Sequence, residues 1–290
     1  MICDLCPRRC GAERTALSGA GYCRMPAGIV AAKAMLHPWE EPCLSGTRGA
    51  GCVFFTGCSL GCVYCQNGRI SHDDFGRPIP PERLRTIFEE LIAQGAQCID
   101  LVTPTHFTPW ILEALREPLP VPVVWNSSGY ERAETLRALE GKVQVYLPDL
   151  KYADAESAAE LSDAPDYFEA AKAAIDEMYR QVGPYRMGAD GILQSGVVIR
   201  HMVLPGRLEN TRRVIDYVAE RFRPGEVLFS LMSQYTPQPG ASGALARRLT
   251  GAEYRAAAGY MRACGITDGF LQEKSSAKEE YTPDFDLSGI

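Results

Sequence analysis

The stretch Cys58-Ser-Leu-Gly-Cys62-Val-Tyr-Cys65 directly follows a short apolar run, Gly51–Thr56, that is predicted to be a strand. Cysteine thiolates are the usual ligands of iron–sulfur clusters. Three of them on one short loop can bind three irons of a [4Fe–4S] cluster and leave the fourth iron without a protein ligand. An open coordination position is typical of a catalytic metal. The alternatives are a zinc knuckle and a ferredoxin cluster whose fourth cysteine is remote.

Around this motif, short β-branched runs alternate with helical patterns from about residue 51 to residue 272. Near-continuous apolar runs are typical of strands that are buried on both faces. The predicted strands are Gly51–Thr56, Cys98–Thr103, Pro122–Ser127, Val143–Asp149, Gly196–Leu204 and Glu226–Gln234. The predicted helices are Pro81–Gln94, Pro109–Arg116, Ala133–Leu139, Pro165–Val182, Glu209–Arg221 and Gly251–Cys264.

Six strand–helix units of this kind predict an α/β fold with a parallel sheet and right-handed crossovers. The sheet is either open and doubly wound or curled into a barrel. Both architectures place functional side chains at the carboxyl ends of the strands.

The cysteine spacing, the aromatic Tyr64 and the strand-end segments resemble the radical S-adenosylmethionine (SAM) superfamily. Within it they resemble the proteins related to pyruvate formate-lyase activating enzyme, in an uncharacterised iron–sulfur branch. The resemblance covers about residues 1–240 and implies a partial (β/α)6 barrel. The segments that carry it are Phe54-Phe-Thr-Gly-Cys58, Cys65-Gln-Asn67, Val102-Thr-Pro-Thr-His-Phe107, Asn126-Ser-Ser-Gly-Tyr130, Tyr146-Leu-Pro-Asp-Leu-Lys151, Ile199-Arg-His-Met-Val-Leu-Pro-Gly206 and Leu231-Met-Ser-Gln-Tyr235.

The resemblance implies a radical SAM oxidoreductase in which Cys58, Cys62 and Cys65 are the catalytic cluster ligands. SAM would bind the open iron, and an electron from the reduced cluster would cleave it to methionine and a 5′-deoxyadenosyl radical that abstracts hydrogen from a substrate. The implied electron donor is a flavodoxin or a ferredoxin. The substrate is a glycyl radical protein or, alternatively, a small metabolite, peptide or nucleotide. A non-enzymatic electron carrier is a third hypothesis, which the open iron disfavours.

Further SAM-binding residues are expected at the strand ends. Many relatives carry a Gly-Gly-Glu-type segment that binds the SAM amino group, and Thr103-Pro-Thr-His106 occupies that position here. Thr105 and His106 can accept hydrogen bonds from an ammonium group. Asn126 and Ser128 match a turn of the relatives that faces the barrel mouth, although these residue types are also common in ordinary turns. Tyr64 is the remaining aromatic candidate.

Three charged residues near the ends of the predicted strands complete the candidate site. Asp149 and Lys151 are two residues apart, so they point to the same face of a strand, and relatives have an Asp-Leu-Lys segment there near SAM. Arg200 interrupts an apolar run and needs an anionic partner, either a protein carboxylate or that of SAM. The alternative is that the three residues neutralise one another and contribute to stability alone.

A second group of cysteines precedes the motif: Cys3, Cys6, Cys10 and Cys23 have the spacing C-x2-C-x3-C-x12-C. Four thiolates can bind a zinc ion or a second [4Fe–4S] cluster; the alternative is a set of reduced thiols in a mobile arm. We therefore predict a Cys-rich metal-binding extension at 1–50, a radical SAM partial barrel at 51–272 and a C-terminal tail at 273–290.

The composition narrows the remaining function classes. The 290 residues are 46% hydrophobic and 23% charged, as in globular proteins. There is no run of 18 apolar residues, which predicts no membrane span. The net charge of −6 disfavours nucleic acid as a partner. Eleven cysteines without a secretion signal at the start predict a reducing compartment, the cytoplasm.

Overall fold

The computed structural model describes residues 1–272 and 283–290, and a mostly parallel sheet forms its centre. Across the sheet the strand order is β10-β9-β8-β6-β5-β4-β2-β1-β3, and β7 pairs with β8 at the side. In chain order the strands are β1 (Ile29–His37), β2 (Ala50–Phe55), β3 (Arg77–Ile79), β4 (Ile99–Val102), β5 (Val123–Ser127), β6 (Val145–Pro148), β7 (Arg186–Met187), β8 (Leu193–Met202), β9 (Leu228–Met232) and β10 (Gly269–Leu271).

The strand–helix alternation is confirmed. The six predicted strands correspond to β2, β4, β5, β6, β8 and β9, which pair in parallel in that order, and β10 extends the series. The end strands of the described sheet, β10 and β3, do not pair with each other, as expected of a partial barrel.

The α-helices are α1 (Pro42–Ser45), α2 (Gly68–Ser71), α3 (Pro81–Ala93), α4 (Thr108–Ala114), α5 (Ala133–Arg137), α6 (Ala155–Ser162), α7 (Tyr167–Val182), α8 (Leu208–Arg221) and α9 (Gly251–Ala263).

Burial explains why these segments form strands and helices. Every residue of β2, β4, β5, β6 and β9 is buried, which is the environment that favours continuous apolar runs. In α3 the buried residues recur at helical spacing and turn one face of the helix toward the sheet. No helix in the described part of the chain is both long and apolar enough to cross a membrane.

The sheet extends into the segment before residue 51. Strand β1 pairs antiparallel with β2, from Ala31 opposite Phe55 to His37 opposite Ala50. The sequence analysis predicted no strand there, because three alanines weaken the β propensity of Ile29–His37. The boundary predicted at residue 50 therefore falls between two hydrogen-bonded strands.

The last residues of the chain pack against the same edge. The N–H of Ala34 donates to the carbonyl of Ser288 (3.0 Å), and Lys33 Nζ lies 2.9 Å from Asp286 Oδ1. Phe285 is buried, and its ring contacts Phe54 edge-on at a centroid distance of 5.6 Å. Of the predicted tail 273–290, residues 273–282 lie outside the described residues.

We expect Phe285→Ala to lower the free energy of unfolding by about 3 kcal/mol, because it removes a buried aromatic side chain. Anaerobic denaturant unfolding measures the change. Leu17→Ala is the control, since Leu17 is 94% exposed and should leave stability unchanged. Equal stability of the two variants would contradict the packing of the C-terminal residues on this edge.

Candidate functional site

A cavity of about 230 Å³ lies where the parallel strands end. This is the edge at which parallel α/β folds assemble their sites. The wall is formed by the cysteine loop and by six parallel strands or the residues that follow them, namely β2, β4, β5, β6, β8 and β9. The lining that these strands supply is Phe54, Val102, Thr103, Asn126, Ser127, Ser128, Asp149, Lys151, Arg200, Met202, Met232 and Gln234.

The three motif cysteines line this cavity together, as the spacing predicts. Hydroxyl groups contact two of the sulfurs: Ser162 Oγ donates to Cys62 Sγ (3.0 Å), and Ser71 Oγ donates to Cys65 Sγ (3.2 Å). Burial raises the pKa of Cys65 to about 12, and the neighbouring charges of Cys62 and Cys58 add to the effect. A metal cation bound at the Cys65 sulfur would stabilise its thiolate, which is the form that binds metal.

The donor set fits a [4Fe–4S] cluster with one open iron. Of the eleven cysteines in the sequence, Cys58, Cys62 and Cys65 line the cavity. Three cysteine ligands leave one iron of such a cluster open to a molecule in the cavity, which is what a catalytic cluster needs.

Tyr64 belongs to the cysteine loop and lines the cavity. Its hydroxyl accepts a hydrogen bond from Tyr152 (2.8 Å), and the Tyr152 hydroxyl lies 2.7 Å from Ser162 Oγ. The aromatic ring contacts those of Tyr152 and Tyr235 edge-on. These contacts make Tyr64 a rigid support of the loop.

Four charged side chains form one network in the cavity wall. Arg200 Nε lies 3.0 Å from Asp149 Oδ1, and Arg200 Nη1 lies 3.0 Å from Glu40 Oε1. Lys151 Nζ lies 2.6 Å from Asp149 Oδ2. Burial opposes the charge of Asp149, but Lys151 and Arg200 hold its pKa below its ordinary value. Burial alone would lower the pKa of Lys151, but Asp149 holds it above its ordinary value.

Asp149, Lys151 and Arg200 have the ion pairs that one alternative expects and the cavity position that the other expects, and their contact with SAM stays a prediction. The residues neutralise one another through ion pairs, and all three also line the cavity. Their side chains are 14–18% exposed, so they remain accessible to a ligand in the cavity.

Asn126 and Ser128 lie at the cavity as predicted. Asn126 joins the charged network, since its Oδ1 accepts from Arg200 Nη2 (2.6 Å) and its Nδ2 donates to Asp100 Oδ2 (3.1 Å). Ser128 Oγ accepts from the N–H of Tyr130 (3.4 Å), so this residue also serves the turn.

Two acidic residues of the network were missed by the sequence analysis. Glu40 follows β1 in a segment without any motif, and no signal points to it. Asp100 interrupts the apolar strand β4, and this is the same signal that singled out Arg200. Burial raises the pKa of Asp100 well above its ordinary value, and the charge of Glu40 adds to it.

Glu40, Cys52 and Asp100 also meet a geometric criterion for metal binding, since one ligand atom from each lies within 4.8 Å of the others. Arg200 already pairs with Glu40, and Cys52 Sγ donates to Asp100 Oδ2 (3.4 Å). The adjacent guanidinium disfavours a second cation at this position.

Thr105 and His106 do not lie at the cavity, and their predicted contact with the SAM amino group is corrected. The chain enters a short 3-10 helix at Thr105, which turns both side chains into the protein. Thr105 Oγ1 donates to Glu131 Oε1 (2.8 Å), and His106 Nε2 lies 2.7 Å from the carbonyl of Thr56. Burial lowers the pKa of His106 to about 4. Thr103, with a positive φ of 60°, lines the cavity instead.

The four N-terminal cysteines form a separate group away from the cavity lining. Cys3, Cys6 and Cys23 are buried, and Cys10 is exposed. Burial raises the pKa of Cys6 to about 12, and the charges of Cys23, Cys3 and Cys10 contribute to the rise. The four thiols are therefore close enough to interact electrostatically.

Comparison with known proteins agrees with this geometry. Residues 45–153, which contain the three motif cysteines, match the family model of a 4Fe–4S single cluster domain. Among solved structures, Streptococcus suis SuiB bound to S-adenosylmethionine superposes on 75% of this chain and 48% of its own, with a TM-score of 0.53 and 13% identity. Methylornithine synthase (PylB) superposes on 74% of this chain and 61% of its own, with a TM-score of 0.50 and 14% identity. The chain shares the fold of these two proteins.

A curated relative extends the similarity at the level of sequence. Over 246 residues this chain is 29% identical to the uncharacterized protein MJ0674 of Methanocaldococcus jannaschii, and the match covers 81% of this chain and 66% of the relative. The chain thus spans just under two thirds of MJ0674 and about half of SuiB. The cluster-domain match supports a [4Fe–4S] cluster at the motif cysteines, while the pyruvate formate-lyase activating branch stays a prediction.

We expect Arg200→Ala to lower the free energy of unfolding by about 3 kcal/mol, because Asp149 and Glu40 lose their shared cation in a nearly buried site. Arg116→Ala is the control, since its side chain is 75% exposed and its ion pair with Glu113 should contribute less than about 1 kcal/mol. Anaerobic denaturant unfolding compares the two. An Arg200→Ala variant as stable as the control would show that the network does not stabilise the fold.

Proposed function

We propose that the protein is a radical SAM enzyme. It would cleave SAM reductively at a [4Fe–4S] cluster bound by Cys58, Cys62 and Cys65 and use the 5′-deoxyadenosyl radical to abstract hydrogen from a substrate. One observation carries this proposal: the three cysteines face the same cavity as the polar ends of the parallel strands. The cluster domain matched at residues 45–153 supports it.

In this proposal the cluster, when bound, supplies the electron that cleaves SAM, and the protein provides binding and orientation. Ser71 and Ser162 donate hydrogen bonds to the thiolates, which stabilises their charge. Lys151 and Arg200 offer cationic partners for a carboxylate, and Asp149 offers an anionic partner for an ammonium group. The two methionines, Met202 and Met232, provide apolar surface in the same cavity.

Electrons would reach the cluster from outside. Val63 lies between two cluster cysteines and is 58% exposed, so the loop is accessible at the protein surface. A flavodoxin or a ferredoxin that docks there is the electron donor we propose.

For the substrate, the cavity favours a small charged molecule. Its wall holds two cations and two carboxylates, and His37, Trp39 and Pro283 also contribute to the lining. A protein substrate would need a groove that admits a polypeptide loop, whereas a metabolite needs a small enclosed site. A glycyl radical protein, the substrate implied by activating enzymes, is the alternative.

We expect the combined replacement Cys58→Ala, Cys62→Ala and Cys65→Ala to abolish formation of 5′-deoxyadenosine, because the cluster loses all its protein ligands. Anaerobic reconstitution with dithionite and SAM, followed by chromatography, measures this product. Cys264→Ala is the matched control, since Cys264 follows α9 outside the cavity lining. Retained SAM cleavage in the triple variant would refute the proposed function, provided that circular dichroism shows an intact fold.

The substrate class can be separated by isotope transfer. An extract of cells grown in deuterium oxide is divided into a small-molecule filtrate and a protein retentate, and each is incubated anaerobically with the reconstituted enzyme, SAM and dithionite. We expect deuterium in 5′-deoxyadenosine from the filtrate, because the charged cavity favours a small molecule. Transfer from the retentate alone would instead support the glycyl radical alternative.

A further inference from the structure

The proposed reaction leaves the four N-terminal cysteines without a role, although the structure brings the loops that carry them into contact. A Cβ atom placed on Gly21 would lie 2.9 Å from Cys10 Sγ, so the loop before Cys23 packs directly against this sulfur. The N–H of Cys3 donates to the carbonyl of Ala12 (2.9 Å), two residues after Cys10. Loops that are distant in sequence thus converge on the thiols.

The arginine Arg14 ties the same loops together from the inside. Its side chain is buried, and its Nη1 lies 3.8 Å from Cys3 Sγ. Its Nε donates to the carbonyl of Met25 (3.0 Å), two residues after Cys23. Arg14 therefore connects Cys3 to the backbone that follows Cys23.

Little regular structure holds this segment in place. Before β1 its ladder pairing consists of two isolated bridges, Ile2 with Glu13 and Arg14 with Gly19. Two tight turns include cysteines. The N–H of Arg9 donates to the carbonyl of Cys6 in the first turn, and the N–H of Arg24 donates to the carbonyl of Gly21 in the second, which contains Cys23. Arg9 and Arg24 both have positive φ, at 42° and 59°, which is uncommon for residues with a side chain. Small loop-rich units of this kind generally need a cross-link to be stable.

The segment packs on the back of the catalytic cysteine loop. Arg8 Nε donates to the carbonyl of Ser59 (2.8 Å), and its Nη2 donates to the carbonyl of Ser162 (2.8 Å). The hydroxyl of Tyr22 donates to the carbonyl of Leu60 (3.2 Å), and the Arg8 guanidinium stacks on the Tyr22 ring at 3.7 Å. Because Arg8 and Tyr22 hold the backbone of this loop, a centre that orders residues 1–28 would also order the loop that is proposed to hold the cluster.

We propose that Cys3, Cys6, Cys10 and Cys23 bind one thiolate-ligated metal centre, a zinc ion or a second iron–sulfur cluster. This centre orders the N-terminal segment, and through Arg8 and Tyr22 it supports the loop from Cys58 to Cys65. A zinc ion and an iron–sulfur cluster can both be bound by four cysteine thiolates, and the metal analysis below distinguishes them.

Metal analysis of the variant Cys58→Ala, Cys62→Ala, Cys65→Ala isolates the second site, because this chain has lost the cavity cysteines. The full-length variant is prepared anaerobically with iron, sulfide and zinc supplied. We expect about one zinc per chain without visible absorbance, or about four irons with matching sulfide and a charge-transfer band. Either result supports the site, and a metal-free chain overturns it. Since the readout does not involve SAM, failure of the radical SAM proposal would not affect it.

Cys10→Ser in the same background tests the ligand assignment without disturbing the core, because Cys10 is exposed. Loss of one ligand should speed metal release to a chelator by at least about tenfold, while Cys264→Ser should leave the rate unchanged. Hydrogen exchange at residues 58–65 should rise after metal release, because the support behind the loop is lost. Unchanged release from the Cys10→Ser variant, or unchanged exchange after release, overturns the corresponding part of the proposal.

Discussion

The guanidinium of Arg200 joins the parts of the chain that form the cavity. It extends from β8 and contacts Asp149 at the end of β6, Asn126 on β5 and Glu40 in the segment after β1. A buried cation needs such anionic and polar partners, because each unpaired charge in this environment is costly. Asp149 in turn holds Lys151, so one ion network sets the positions of the polar groups along the wall.

The three motif cysteines impose a second constraint, because thiolates that lie side by side in one cavity wall would repel one another. The hydroxyl of Ser71 donates a hydrogen bond to Cys65, and that of Ser162 donates one to Cys62. Ser162 lies on α6, a hundred residues after Cys62 in the chain. The N-terminal segment contributes Arg8 and Tyr22 to the backbone of the same loop. The short loop between the cysteines thus depends on supports that are remote in the sequence.

Most of the central sheet was predictable because its strands are buried on both faces and have a continuous apolar pattern. The segment before the motif was not, since β1 contains three alanines and forms only because β2 offers an antiparallel partner. Glu40 was also missed, because its role depends on a distant residue. It pairs with Arg200, 160 residues later in the chain, and its neighbours in the sequence give no sign of this contact. Asp100 was detectable, because a carboxylate inside an apolar strand signals a buried polar contact.

The sequence by itself determined the order of strand–helix units, the cysteine spacing that suits a cluster with an open iron, and the side chains at the ends of β5, β6 and β8. These features are local, because periodicity and spacing act within a few residues. Only the tertiary structure decided that Thr103 rather than Thr105 or His106 lines the cavity, and that Glu40 completes the charged network. The 3-10 helix at Thr105 turns the two side chains away from the cavity, and the ion pair with Arg200 brings Glu40 to it. Both features depend on packing between segments that are far apart in the sequence.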